Sequence, residues 1–259
     1  MSVFKSTDGT TINYEVSGSG EPLIMIHGIN GNMRMFDIVK EQLADKYQII
    51  TYDVRGHGQS DRPLNFTIDD HIDDCLDLIS YLELDKAHLL GYSMGAYIAL
   101  GLAVRYPRKV DRLILVGGKA HTTVSSFARL MMQHRDEVKD KPKKEVTQLL
   151  SRYIFYNKEK VDGWQKTIDD YSEMDANEEA VAARGIIGFD YRNSLTKLPH
   201  QTLLIAGRHD QLNPPIESQY MAELIPNSKF IEFEYSGHAP LAEEPKRFAE
   251  EIQLFLDRQ

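Results

Sequence analysis

Short apolar, β-rich runs alternate with helical patterns along most of this 259-residue chain. Apolar runs such as those at residues 23–26 and 203–206 lack the polar alternation of a half-buried strand, so they suit strands that are covered on both faces. Between residues 45 and 120 the runs and the helical patterns follow one another at the spacing of β-α-β units. The sequence therefore predicts an α/β fold with a mostly parallel central sheet and flanking helices. The runs are TINYEV at 11, LIMIH at 23, QIITYD at 48, AHLLGY at 87, RLILVG at 112, TLLIAG at 202 and KFIEFEY at 229.

The alternation stops between about Lys119 and Ser194. This stretch is helical in character, has no convincing strand and contains the single tryptophan, Trp164. Strand patterns resume at Leu203, so the stretch interrupts one sheet and does not link two domains. We predict an α/β core formed by residues 1–118 and 195–259, with residues 119–194 inserted as a helical lid, or cap.

Composition and charge exclude several classes of partner. With 42% hydrophobic residues the chain can bury a sizeable core, and its formal net charge of −9 disfavours binding to nucleic acid or to anionic membranes. The first residues lack the apolar core of a signal peptide, and no apolar run reaches the length of a membrane span. We expect a cytoplasmic protein. Its only cysteine, Cys75, lies in an apolar helical pattern and is predicted to be a buried, inert thiol.

The acidic segment DDHIDD at residues 69–74 resembles a set of metal ligands. Thr67 precedes it as a helix-capping residue, and carboxylates in a first helical turn complement the helix dipole. We therefore predict a solvated, acidic helix face here, and we expect neither a metal nor an organic cofactor in the protein.

The segment GYSMG places Ser93 between Gly91 and Gly95, where a strand pattern changes directly into a helix pattern. Such a tight turn holds its central residue in a strained backbone conformation, at a cost of about 1–3 kcal/mol, and exposes its hydroxyl above the sheet. It also directs the Met94 N–H, at the helix N-terminus, toward developing negative charge. Ser93 is therefore the predicted nucleophile; the alternative is that it only caps the helix.

A serine nucleophile needs a histidine base, and His238 is the best candidate among the nine histidines. It lies in a glycine-bounded loop directly after the last strand pattern. His209 is adjacent to an aspartate, His57 lies in a glycine-rich turn, and His88 begins a strand. These three histidines are therefore weaker candidates.

The acid that orients the base is predicted to be Asp210, because it also follows a strand pattern. Asn213 and Pro214 form a plausible N-cap and first residue for the next helix, so Asp210 is not needed as a cap. The loop at residues 117–119 offers no carboxylate. The predicted triad therefore follows the chain order Ser93, Asp210, His238.

Five motifs in the sequence are GYSMG, GRHD at 207–210, SGHAP at 236–240, IHGIN at 26–30 and YDVRGHGQSD at 52–61. Together they resemble the α/β-hydrolase superfamily, and in particular its lid-bearing esterase and enol-lactonase branch. The resemblance implies eight strands with the second antiparallel, a lid after the sixth, and the Ile29 N–H as the second oxyanion donor beside Met94. Dehalogenase and epoxide-hydrolase branches carry aspartate at the nucleophile position, so Ser93 argues against both.

From these residues we expect a serine hydrolase that cleaves small carboxylic esters, thioesters or lactones through an acyl-enzyme. Three alternatives stay open: a slow ligand sensor that signals to a protein partner, a C–C bond hydrolase, and a perhydrolase-like enzyme. The last is disfavoured because residues 27–36 lack the tryptophan common in that group. Lid aromatics such as Trp164 are candidates for contacting the substrate, or alternatively form a small core of the lid.

Overall fold

A computed structural model describes residues 2–257 and contains one sheet of eight strands. The strand order is β1-β2-β4-β3-β5-β6-β7-β8, and β2 runs antiparallel to β1 and β4 while all other neighbours are parallel. The predicted mostly parallel sheet with an antiparallel second strand is confirmed. The strands are β1 Ser2–Lys5, β2 Thr11–Ser17, β3 Glu21–Ile26, β4 Tyr47–Tyr52, β5 Ala87–Tyr92, β6 Val110–Val116, β7 Gln201–Gly207 and β8 Ser228–Phe233.

Eleven α-helices lie in the described part of the chain, and several of them cover the two faces of the sheet. Short 3-10 helices occur at Met33–Phe36, Pro107–Lys109 and Arg192–Lys197. The α-helices are α1 Asp37–Ala44, α2 Ile68–Tyr81, α3 Met94–Arg105, α4 Ser126–Gln133, α5 Arg135–Val138, α6 Lys143–Ile154, α7 Lys158–Tyr171, α8 Ala176–Gly185, α9 Pro215–Leu224, α10 Pro240–Glu243 and α11 Pro245–Leu256.

Strand β3 illustrates why the central strands are apolar at successive positions. Ile24 and Ile26 pack in one core with α2, α3 and α9, whereas Leu23 and Met25 pack in the opposite core with α1, α7 and α11. Successive side chains of a strand point to opposite faces, so a strand covered on both faces needs apolar residues throughout. The strand that sequence patterns missed, β1, is a four-residue edge strand in which only Phe4 is buried.

The residues between β6 and β7 form helices α4 to α8 and contribute no strand to the sheet. A single isolated bridge joins His121 to Asp190 where this segment leaves and rejoins the core. Leu150 lies in a small apolar cluster of the segment itself, whereas Trp164 of α7 belongs to the main core. The action of this segment as a lid stays a prediction.

Helix α2 begins as predicted, because Thr67 and Asp70 form a reciprocal capping box. The prediction of a solvated face is wrong for two of its residues. His71 is buried, and buried Asp74 receives two hydrogen bonds from Arg55, each 2.6 Å long. The helix turns these two side chains toward the core and leaves the other acids at the surface.

The predicted burial of Cys75 on α2 is confirmed, and burial raises the pKa of its thiol to about 12. Its lack of reactivity stays a prediction. Across residues 2–257, no group of three or more His, Cys, Asp or Glu side chains is arranged to hold a metal ion. In the same residues, no helix combines the length and the apolar character needed to cross a bilayer.

Candidate active site

Ser93 occupies the sharp corner between β5 and α3, in the left-handed region with φ 53° and ψ −113°. A Cβ atom at Gly91 would collide with the Gly95 carbonyl, and one at Gly95 would collide with the Ile26 carbonyl of β3. Only glycine therefore allows α3 to start so close to the sheet. The Ser93 side chain makes no capping hydrogen bond to α3, so the alternative that it serves only as a helix cap is wrong.

The structure brings the three predicted triad side chains into one hydrogen-bonded row. Ser93 Oγ lies 2.9 Å from His238 Nε2, and His238 Nδ1 lies 2.6 Å from Asp210 Oδ2. The carboxylate can only accept, so Nδ1 carries the proton and Nε2 is free to accept the serine hydroxyl proton. All three side chains are buried and follow the carboxyl ends of β5, β7 and β8, which meet at one edge of the sheet.

The second oxygen of Asp210 is fixed by its own loop. Oδ1 accepts hydrogen bonds from the backbone N–H groups of Leu212 at 2.8 Å and Asn213 at 2.9 Å. These two donors hold the carboxylate in the orientation that presents Oδ2 to His238. The orientation of the base is therefore set by a short turn after β7.

The prediction that Asn213 and Pro214 begin the next helix as N-cap and first residue is wrong. Helix α9 begins at Pro215, Pro214 is the N-cap residue, and no side chain caps the helix. The Asn213 amide instead donates to the Gly117 carbonyl at 2.7 Å and to the Tyr97 hydroxyl at 2.9 Å. Buried amides need partners, and these acceptors satisfy Asn213 in a way that an N-cap role would not.

The loop that carries His238 is hydrogen-bonded to the helical segment between β6 and β7. The His238 N–H donates to the Ile154 carbonyl at 2.6 Å. The fully buried Glu243 carboxylate accepts from the N–H groups of Gly237 at 2.8 Å and of Tyr156 and Asn157 at 2.7 Å each. Burial raises the pKa of Glu243. The hydrogen bonds from these backbone N–H groups partly offset that rise. No motif in the sequence marks this carboxylate as part of the site.

The rival histidines lie elsewhere. The His209 ring stacks on Tyr156 at 4.4 Å, and buried His57 lies beside the Arg55 carbonyl with a pKa lowered by burial to about 3. His88 lies beside Glu21 at the amino end of β5, away from the serine corner. Within residues 2–257, His238 is the histidine hydrogen-bonded to Ser93.

The Met94 and Ile29 N–H groups, predicted as oxyanion donors, start α3 and follow β3 respectively. Neither has a hydrogen-bond acceptor among the described residues. The His27 Nε2 accepts the Val54 N–H at 3.0 Å, so His27 Nδ1 carries the proton and donates to the Gly28 carbonyl at 2.7 Å. Burial lowers the pKa of His27 to about 4 and keeps it neutral near pH 7.

This contact of His27 orients the peptide that carries the Ile29 N–H. In a trans peptide the carbonyl and the following N–H point in opposite directions, so holding the Gly28 carbonyl also fixes the Ile29 N–H. A Cβ atom at Gly28 would lie 3.3 Å from Ser93 Cβ, so this peptide is directly beside the serine. The use of the two N–H groups as an oxyanion hole stays a prediction.

Trp164 is part of the core behind the site. Its indole N–H donates to the Met35 carbonyl at 2.8 Å, and its ring packs edge-on against Tyr92 at 6.2 Å. The Tyr92 ring in turn lies 5.3 Å from the His238 ring. Trp164 therefore supports the residues beneath the histidine, and contact with a substrate stays a prediction.

A family model described as the alpha/beta hydrolase fold matches residues 21–245 of this chain. A 2-hydroxymuconate semialdehyde hydrolase from Pseudomonas sp. (strain CF600) is 30% identical, with 96% of this chain and 91% of that protein covered. A 3-oxoadipate enol-lactonase 1 from Acinetobacter baylyi is 27% identical over 95% of this chain and 92% of its own. The solved esterase from Exiguobacterium antarcticum matches with a TM-score of 0.84 and 27% identity, covering 99% of each chain.

Proposed function

The chain belongs to the α/β-hydrolase family, and we propose that it is a serine hydrolase of small carboxylic esters, thioesters or lactones that works through an acyl-enzyme. The observation that carries the proposal is the hydrogen-bonded row from Ser93 through His238 to Asp210, with distances of 2.9 and 2.6 Å. A serine hydroxyl is a weak nucleophile until an adjacent base removes its proton, and this row supplies that base in the required tautomer.

In the first half-reaction, Ser93 Oγ attacks the substrate carbonyl carbon while His238 Nε2 takes the hydroxyl proton. The resulting tetrahedral oxyanion accepts hydrogen bonds from the Ile29 and Met94 N–H groups. When the intermediate collapses, the bond to the leaving alcohol, thiol or lactone oxygen breaks, and His238 gives that group its proton. The acyl group is then esterified to Ser93.

In the second half-reaction, a water molecule replaces the leaving group. His238 removes a proton from the water as the oxygen attacks the acyl carbon, and the oxyanion donors act again. Collapse breaks the bond to Ser93 Oγ, His238 returns the proton to it, and the carboxylic acid leaves. Asp210 stabilises the imidazolium of His238 in both steps. Each oxyanion donor is expected to contribute about 10²–10³-fold to the rate, as in other acyl-transfer sites.

A C–C bond hydrolase is a second candidate, because the 2-hydroxymuconate semialdehyde hydrolase is 30% identical to this chain. The two functions share the serine and the histidine but differ in the bond that breaks. Parallel assays of an aryl ester and of 2-hydroxymuconate semialdehyde therefore separate them, and the larger kcat/KM identifies the reaction.

The direct test of the proposal compares the wild-type protein with Ser93→Ala. We expect hydrolysis of p-nitrophenyl acetate or butyrate and labelling by a fluorophosphonate probe at one equivalent, both abolished in Ser93→Ala. Ser80→Ala on the exposed side of α2 is the matched control and should behave as wild type. Labelling that persists in Ser93→Ala would place the nucleophile at another residue, and a turnover far below 1 per second on every ester would favour a sensor.

A further inference from the structure

A buried ammonium group lies close to the candidate active site without a carboxylate partner. Lys119 follows β6 two residues after Gly117, where a Cβ atom would lie 3.1 Å from Cε1 of the His238 ring. The Lys119 residue is only 8% exposed, and across residues 2–257 no carboxylate lies within 4.0 Å of its Nζ. Buried charges are normally paired, so this ammonium group requires an explanation.

The side chains around Lys119 offer it few acceptors. Its ammonium has three N–H donors; one donates to Ser126 Oγ at 2.8 Å, and the group lies 5.9 Å from the centroid of the Tyr97 ring. The Ser126 hydroxyl donates its own proton to the Asn213 side-chain oxygen at 2.6 Å. The acceptors around Lys119 are therefore already engaged, while the ammonium retains unused hydrogen-bonding capacity.

Two charged side chains act on Lys119 from a distance, in opposite senses. The guanidinium of Arg129 on α4 is close enough to act on Lys119 electrostatically while it donates to the Leu212 carbonyl at 2.7 Å. Glu217 on α9 is the acid that acts on Lys119 in the opposite sense, from beyond ion-pair distance. Neither side chain forms an ion pair with Lys119, so within residues 2–257 the ammonium has no directly bound counter-charge.

Lys119 is connected to the triad by a short series of hydrogen bonds: Lys119 donates to Ser126, Ser126 donates to Asn213, and the Asn213 N–H donates to Asp210. Tyr97, which contacts Lys119, is four residues after Ser93 on α3, or about 6 Å along the helix axis. A short substrate that carries an ester carbonyl at one end and a carboxylate at the other would extend from Ser93 toward this ammonium. Carboxylate oxygens would accept the ammonium hydrogen bonds that the protein leaves unused.

We propose that Lys119 is an anion subsite and that the preferred substrates are esters or lactones with a carboxylate a few carbons from the scissile carbonyl. This inference rests on the proposed hydrolase function. Its kinetic test requires that activity, whereas its second test requires only ligand binding. Ser126 and Asn213 position Lys119 in this arrangement, since the hydroxyl fixed by the Asn213 amide holds the ammonium in place.

The kinetic test compares two esters of equal length with the same leaving group. The probes are the p-nitrophenyl half-ester of glutaric acid and p-nitrophenyl pentanoate, at constant ionic strength, and the variant is Lys119→Met, which removes the charge but keeps an unbranched side chain only one atom shorter. We expect wild type to prefer the half-ester, and Lys119→Met to lose about tenfold or more in kcat/KM on the half-ester with less than a twofold change on pentanoate. Lys166→Met on the exposed side of α7 is the matched control and should keep the wild-type preference.

An equal loss on both esters in Lys119→Met would overturn the inference, because it would make Lys119 a support for the triad. Equal hydrolysis of both esters by wild type would overturn it as well. If Lys119→Met does not fold, Lys119→Gln provides the same comparison. Absence of any ester hydrolysis together with absence of probe labelling would instead refute the proposed function.

The second test needs no turnover. Glutarate should raise the thermal midpoint of Ser93→Ala protein in a concentration-dependent way, while glutaramide, its neutral analogue, should have no effect. Adding Lys119→Met to Ser93→Ala should abolish the effect of glutarate. An equal effect of glutarate with and without Lys119 would overturn the anion subsite, whatever the outcome of the kinetic assays.

Discussion

The backbone N–H of His238 donates to the carbonyl oxygen of Ile154 over 2.6 Å, so the proposed base is tied to helix α6 through its own main chain. Glu243 strengthens this connection, because its buried carboxylate bridges the N–H groups of Gly237 and of Tyr156 and Asn157. The position of the histidine loop and the position of the helical segment between β6 and β7 are therefore not independent. A change in the packing of that segment should alter the geometry of the base.

Replacing Glu243 with Gln should impair both stability and catalysis. The glutamine amide keeps one acceptor oxygen but presents an NH2 group to a backbone N–H that then has no acceptor, at a cost of about 1–3 kcal/mol. Urea unfolding should show this loss, and kcat should fall more than KM changes because the displaced group is the His238 loop. Exposed Glu250→Gln on α11 is the control. Unchanged kcat in a destabilised Glu243→Gln would show that the carboxylate serves the fold only.

The corner at Ser93 should store measurable backbone strain. Its φ of 53° is unfavourable for any residue with a Cβ atom and acceptable for glycine. Ser93→Gly and Ser93→Ala should therefore both be inactive, but Ser93→Gly should be the more stable of the two by about 1 kcal/mol, less the entropy that glycine gains in the unfolded chain. Chemical denaturation of the two inactive variants measures the difference. A less stable Ser93→Gly would mean that the strain at the corner is smaller than the entropy that glycine gains in the unfolded chain.

Much of the fold could be predicted because the constraint lies in local patterns. Runs at residues 23–26 and 203–206 are apolar at nearly every position only because helices cover both sides, so they identify central strands without further information. β1 lacks that signature, since an edge strand of four residues with only Phe4 buried looks like an ordinary polar segment.

The triad could be predicted for a related reason. Ser93, Asp210 and His238 each directly follow a strand pattern, and the carboxyl ends of parallel strands converge. The partners of Asn213 could not be predicted in this way. Its side-chain NH2 group donates to acceptors on Tyr97 and Gly117, which are 116 and 96 residues away. As a helix cap, its side-chain oxygen would instead accept from a local backbone N–H group.

Which polar residues of a helix are buried could not be predicted from the sequence either. The DDHIDD segment reads as acidic and solvated, yet the helix turns His71 and Asp74 toward the core, where Arg55 from another loop binds Asp74. The burial of Lys119 is not predictable for the same reason, since a lysine in a loop is usually exposed and its burial follows from the packing of α4.

His71→Leu should stabilise the protein, most strongly in mild acid. Both ring nitrogens of His71 are buried without a hydrogen-bond partner, and burial lowers its pKa well below the usual value, with further lowering by His57, Arg55 and His27. Below about pH 6.5, His71 of the unfolded chain binds a proton that buried His71 of the folded protein does not bind. The free energy of unfolding therefore falls as the pH falls.

Removing this group should therefore reduce the loss of stability between pH 7.5 and 5 by up to about 2 kcal/mol. Urea midpoints of wild type and His71→Leu at the two pH values provide the measurement. His209→Gln replaces an exposed histidine and is the control. A parallel acid loss in His71→Leu and wild type would mean that folded His71 takes up its proton as readily as the unfolded chain.

The last prediction concerns Lys119 in alkaline solution. Burial lowers its pKa to about 8, from an ordinary value near 10.5, with Arg129 lowering it further and Glu217 opposing both. Between these values the folded protein has released a proton that the unfolded chain still holds, so the free energy of unfolding should rise with pH. From pH 7.5 to 9.5 we expect wild type to gain about 1–2 kcal/mol relative to Lys119→Met, while Lys166→Met follows wild type. Saturating glutarate should suppress this gain, because an anion bound at Lys119 favours the charged ammonium. Equal pH profiles for wild type and Lys119→Met in urea unfolding would mean that the ammonium is solvated, and the anion subsite would lose its physical basis.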